Sequence, residues 1–232
     1  MILRKKVLIF MAVLVLTAIS LSLFSCADKN ILRFKNDGDT GNLIDETNGR
    51  YYIYCKGYLR ASKINQNVYA ICPKEKGVSE VKLYEIDGID PAKWLSENIK
   101  MGIAFLFREQ SEEEPKLSEF ETEIIHITAT GEITLRIGLI NSKEEIETIV
   151  NDYVNGKQTP IPDYVSDDFT FNFESAKYKG IFYVLQYLID DKGETYLYDR
   201  WTGRCVLCNY KPFDNAETET ENKIEEKSDR EG

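Results

Sequence analysis

Histidine is almost missing: His126 is the only one in 232 residues. A hydrolase that pairs a serine or cysteine nucleophile with an imidazole base would have to build on that single ring. Catalytic zinc sites also lean on histidine and are disfavoured. No serine stands in the Gly-x-Ser-x-Gly turn that exposes a hydrolase nucleophile. Positive charge is short too. There are 29 Lys and Arg against 39 Asp and Glu, a net of −10, and the basic residues are scattered beside acidic ones. Binding a polyphosphate needs a basic patch, so no nucleic-acid partner is expected. Long apolar runs are confined to one place, residues 7–24.

That run follows Arg4, Lys5 and Lys6 and is broken only by Thr17, Ser20 and Ser22. A basic start, an apolar middle and a small residue before a cut form the secretory signal pattern. Eighteen residues also approach the ~20 that a spanning helix needs, so an uncleaved anchor is the competing reading. Leu23-Phe24-Ser25-Cys26 decides between them. It resembles the lipobox of bacterial membrane lipoproteins, with Leu23, Ser25 and Cys26 matching and Phe24 larger than that position usually holds. The resemblance covers the first 26 residues only. It implies removal of residues 1–25 and a diacylglyceryl group on the Cys26 thiol, hence a chain held on the extracytoplasmic face of a cell membrane. Each buried methylene contributes about 0.8 kcal/mol and one acyl chain holds only marginally, so two chains make a lasting tether. Cleavage takes away three basic residues and no acidic ones, leaving a net of −13. Such a charge keeps the rest of the protein off an anionic leaflet.

Residues 26–48 are polar and read as a lipid-anchored flexible linker. Asp37-x-Asp39 hints at a calcium loop, but the fifth and twelfth positions hold Gly41 and Asn48 where oxygen ligands are needed. Residues 49–213 are long enough for one globular domain with a proper core. The 14 Tyr, 11 Phe and 2 Trp cluster in alternating stretches, which favours strands. Runs at Tyr51–Cys55, Val68–Cys72, Val78–Ile86, Met101–Phe107, Thr122–Ala129, Ile133–Ile140, Phe169–Phe173, Gly180–Ile189, Thr195–Asp199 and Arg204–Tyr210 read as strands. The main helix spans about 142–155: Ser142 and Glu145 form a capping box, and Ile146, Ile149, Val150, Tyr153 and Val154 make one apolar stripe. Asp90-Pro91 predicts a short helix over about 91–98. The acidic stretch Glu109–Glu119 reads as an exposed hairpin loop rather than a link between lobes. The tail, 214–232, carries eight acidic residues, three basic ones and a single large apolar side chain, Ile224, and is expected to be disordered. The fold class is α+β, a mostly antiparallel sheet with one main helix and a short one; an all-β sandwich is the alternative.

Four cysteines remain after Cys26. Cys205 and Cys208 lie three apart in a predicted strand, about 10 Å, beyond the roughly 7 Å that a disulfide spans, and they face opposite ways. Links to Cys55 or Cys72 stay open; one disulfide or none, with the others packed as small hydrophobes, is the favoured reading. His126 reads as a surface or half-buried strand residue. Asp167, Asp168, Glu174, Asp190 and Asp191 supply carboxylates, but paired carboxylates work only at a set separation. The candidate ligand-binding residues are aromatic: Tyr183, Tyr187, Tyr196, Tyr198 and Trp201. A two-residue Lys192-Gly193 turn would set Tyr187 opposite Tyr198 and unite the four tyrosines as a stacking platform. A three-residue loop with Gly193 as its bulge would divide them. No metal and no cofactor is implied. The expected role is non-enzymatic binding of a protein or cell-envelope component such as a glycan. The alternatives are a carboxylate-based hydrolase of envelope polysaccharide and a surface immunity or inhibitor protein.

Overall fold

A computed structural model describes residues 31–212 apart from 39, 74–78, 99–103 and 131–133. The signal segment, Cys26 and the acidic tail lie outside the described residues. No helix among those described is long and apolar enough to cross a membrane. Among the described residues the fold is mostly β, almost entirely antiparallel, with one α-helix.

The first half of the chain supplies β1 (Leu32–Arg33), β2 (Lys35–Asn36), β3 (Leu43–Asp45), β4 (Arg50–Tyr54), β5 (Leu59–Ala61), β6 (Ile64–Cys72), β7 (Val81–Ile86), β8 (Trp94–Asn98) and β9 (Ala104–Glu109). All but β5 form one sheet in the order β1-β6-β7-β8-β9-β4-β3-β2. Its two edges, β1 and β2, are separated in sequence by Phe34 alone, so the sheet curls until it nearly closes on itself. Phe34 is 1% exposed and stacks on Tyr52 at 5.2 Å, among Leu43, Leu83, Leu95 and Phe107 inside the curl. The strands at Leu32–Arg33, Lys35–Asn36 and Leu43–Asp45 are therefore part of the folded body, which corrects the linker expected over 26–48. A bare sheet edge seeks a partner, and one large aromatic in a polar run is enough to anchor the segment that supplies it.

Trp94–Asn98 is a strand, not the short helix expected over 91–98. The Asp-Pro signal does start a turn: Asp90 Oδ1 accepts from Ala92 N at 2.9 Å, and Asp90 O accepts from Trp94 N at 3.1 Å. It ends there because the next residues alternate, with Trp94 in the core between the sheets and Leu95 inside the barrel. Pairing with β7 and β9 on both sides outweighs one turn of helix.

The second half supplies β10 (Thr122–Thr130), β11 (Thr134–Ile140), α1 (Lys143–Asn155), β12 (Val165–Ser175), β13 (Ile181–Asp190), β14 (Thr195–Asp199) and β15 (Arg204–Leu207). They form a second sheet, β11-β10-β12-β13-β14-β15, with α1 lying on it. β5 crosses from the first half and pairs the Ile181–Tyr183 end of β13, while β14 pairs its other end. The acidic stretch after β9 is thus the crossing between two sheets rather than a hairpin loop. Its Glu114 carboxylate is bonded by the Tyr58 hydroxyl, and Arg108 Nη1 donates to Glu112 O at 2.7 Å. Cys55, Leu59, Ile86, Trp94 and Leu106 join Ile125, Phe171, Tyr183 and Ile149 in one core shared by both sheets.

α1 begins where the capping box places it. Ser142 Oγ accepts from Glu145 N at 3.5 Å, and Ile146, Ile149 and Tyr153 face the sheet.

Candidate functional site

The tyrosine platform does not exist. Tyr187 pairs with Leu197, whereas Tyr196 and Tyr198 stand opposite Leu188 and Gln186. Paired residues of a ladder share a face, so Tyr183 and Tyr187 point one way and Tyr196 and Tyr198 the other. The turn is the three-residue form: Asp190 N donates to Glu194 O at 3.0 Å and Gly193 takes φ +76°. Tyr183 and Tyr187 are core residues, the latter 1% exposed and stacked on Phe171 at 4.7 Å. Tyr196 is buried in a small cluster with Leu188 and Cys205, against which the half-buried Tyr198 packs. Trp201 is set apart again. It is 46% exposed, edge-on to Phe105, and its ring lies over Gly57, where an added Cβ would sit 2.1 Å from Cε2. It fastens the β14–β15 turn to the first sheet.

His126 is a half-buried strand residue on the face away from α1. Its Nε2 lies 2.6 Å from Glu174 Oε2, beside the Phe182 ring. All four described cysteines are buried, and Cys205 and Cys208 sit in clusters on different faces of the sheet. Burial pushes the Cys55 and Cys208 thiols up to about 12 and raises Cys205 as well, which makes them poor nucleophiles. Asp190 is committed to its own turn: Oδ1 accepts from Lys192 N and Glu194 N at 2.9 and 2.8 Å, and Oδ2 accepts from the Tyr196 hydroxyl at 3.1 Å.

One cleft does collect surface chemistry. After α1 the chain is pinned beside β15, where Thr159 N donates to Cys205 O at 2.8 Å. Pro160 and Pro162 then stiffen an arch whose side chains Ile161 and Tyr164 stand in solvent, Tyr164 at 64% exposure. Opposite lies the Asp190–Glu194 turn, and between them are Tyr196 and the exposed Leu207, a cross-strand pair. The cleft measures about 510 Å³. Its rim has Asp163, Asp191 and Glu194 against Lys192. The Tyr196 hydroxyl lies 3.1 Å from Glu194 Oε2 as well as from Asp190. Apolar side chains, a phenol and carboxylates suit recognition of a ligand; Asp190, fully hydrogen-bonded, is poorly placed to transfer protons.

Of the candidate aromatic residues singled out in the sequence, only Tyr196 belongs to this cleft, and of the carboxylates Asp190 and Asp191 do. The signal that could have found it is Ile161 and Tyr164 in a proline-stiffened loop, apolar residues with neither helical nor strand periodicity. Compared with known proteins, the chain matches no family model, and no curated protein or solved structure is significantly similar to it.

Proposed function

We propose that this is a lipid-anchored extracytoplasmic protein that acts by binding, and that the cleft under the Pro160–Tyr164 arch is its binding surface. One observation carries the reading: of eight large apolar side chains exposed among the described residues, Ile161, Tyr164 and Leu207 all line this one cleft. Scattered exposed hydrophobes are ordinary, but their convergence marks an interaction site. Aliphatic side chains beside a Tyr favour a protein over a glycan as the occupant, since hot spots are aromatic anchors in apolar pockets with a polar rim. The anchor rests on Leu23, Ser25 and Cys26, and the net charge argues against nucleic acid. An α+β description fits best, with α1 covering one sheet.

The test is in-cell cross-linking of the tagged full chain, purification and mass spectrometry of what comes with it. The expected result is a specific protein that is lost from Tyr164→Ala and Leu207→Asp variants, together with a lipidated N-terminal Cys26. A partner retained by both variants would remove the cleft from the account. No partner above background would shift the ligand to a glycan.

A further inference from the structure

A second, larger concavity shares no residue with that cleft. It is a groove of about 1060 Å³ between α1 and the chain from Leu117 to Glu123. Glu123 lines it at the start of β10, where the pairing with β12 slips by one residue between Thr122 and Ile124. The apolar floor is Leu117, Ile146, Val150 and Val154, of which Val150 and Val154 keep part of their surface in solvent. The rim is acidic: Glu121, Glu123, Glu144 and Glu147 face a single lysine, Lys143. Glu147 pairs with Lys143 at 3.7 Å, and Glu121 with Lys177 at 2.9 Å. Among the described residues, Glu123 and Glu144 have no ion-pair partner. The wall also holds Thr122 Oγ1, buried and without a hydrogen-bond partner. Beside it, Glu121 is the one described non-glycine residue in the left-handed region, at φ 54°. Backbone held in that region tends to mark functional positions.

We propose that this groove docks a cationic amphipathic segment of a partner protein. Its apolar side chains would cover Val150, Val154 and Leu117, and its Lys or Arg residues would meet Glu123 and Glu144. The inference goes beyond the cleft reading and does not depend on it. Charge decides the occupant. An anionic lipid surface meets repulsion from the rim, as does the chain's own acidic tail. A helix laid into an apolar groove is a recurring recognition mode, and carboxylates around it set partner choice and salt dependence.

The experiment titrates a 12-residue Lys/Leu amphipathic peptide, and its Glu/Leu counterpart, into the full chain in non-ionic detergent. Wild type is compared with E123K/E144K, with V150D and with Tyr164→Ala, and each variant's folding is checked by thermal unfolding. Glu123 and Glu144 are exposed, so their reversal leaves the fold intact. The expected result is salt-sensitive binding of the Lys/Leu peptide alone, weakened about tenfold or more by E123K/E144K and by V150D, and unchanged by Tyr164→Ala. Equal binding to wild type and E123K/E144K, equal binding of the Glu/Leu peptide, or no binding overturns the proposal. The cleft stands or falls separately, on the partner lost with Tyr164.

Discussion

Arg204 closes the C-terminal end of α1, which has no basic residue in its own last turn. Its Nη2 donates to Tyr153 O at 3.0 Å and to Gly156 O at 2.9 Å, while the guanidinium lies over the Tyr153 ring at 5.5 Å. Removing it leaves helix-end carbonyls without a donor, so Arg204→Ala should cost about 1–3 kcal/mol in urea unfolding. Arg204→Lys should recover only part of this, since an ammonium cannot reproduce the planar fork. Acid should act through two other residues. Hydrogen bonds from the Thr40 and Tyr51 side chains hold the Asp37 carboxyl down to about 2. At Asp190 burial pulls the pKa up, but the Glu194 and Lys192 amides and the Tyr196 hydroxyl outweigh it, leaving it below the usual range. A depressed folded value means stability that is complete above the unfolded pKa, about 3.9 for Asp, and is lost as pH falls through the folded value. Melting followed from pH 5 to pH 2 should therefore decline, and less steeply in Asp190→Asn and Asp37→Asn. Gly57→Ala is expected to push Trp201 off its seat. A red-shifted tryptophan emission would report it, and an unchanged spectrum would refute the contact.

At the scale of elements, β11 is the exposed edge of the second sheet, and Leu135, Ile137 and Leu139 are each about half exposed along it. A register shift between Ile127 and Thr128 distorts its pairing with β10, a device that discourages another strand from adding on. Leu139→Lys should lower light scattering on partial heating while changing stability by less than about 0.5 kcal/mol. A large fall in stability would mean that Leu139 is buried in some assembly. The strand itself was legible from alternation, as was Thr195–Asp199, and α1 was legible from its capping box and apolar stripe. Local periodicity suffices where one element buries one face. It failed at Trp94–Asn98, because a true capping signal was overridden by pairing with strands tens of residues away. It failed at Leu32–Asp45, because a single Phe34 in a polar run carries no period at all. The tyrosines failed for a third reason: one residue in the β13–β14 turn decides which face four side chains share. The cleft joins residues 159–164, 190–196 and 207, and only topology brings those together.

For the whole molecule, the two sheets are coupled through β5 and a common core, while the first sheet owes its closure to Phe34. Phe34→Ala should cost about 3–5 kcal/mol. Hydrogen exchange should then speed up first at residues 32–45 and in β6, with the second sheet still protected; uniform loss of protection would show that closure and core are one cooperative unit. The position of that closure matters mechanically. Leu32 is six residues from Cys26, so no more than about 20 Å of extended chain separates a lipid on that cysteine from the barrel seam. A pull on the proposed tether would be delivered to β1, which pairs with β6 over only two residues, Leu32 with Ala70 and Arg33 with Ile71. The latch that shuts the barrel would take that load first. Tension would open the seam before it reached the second sheet, leaving the proposed binding surfaces shielded from force.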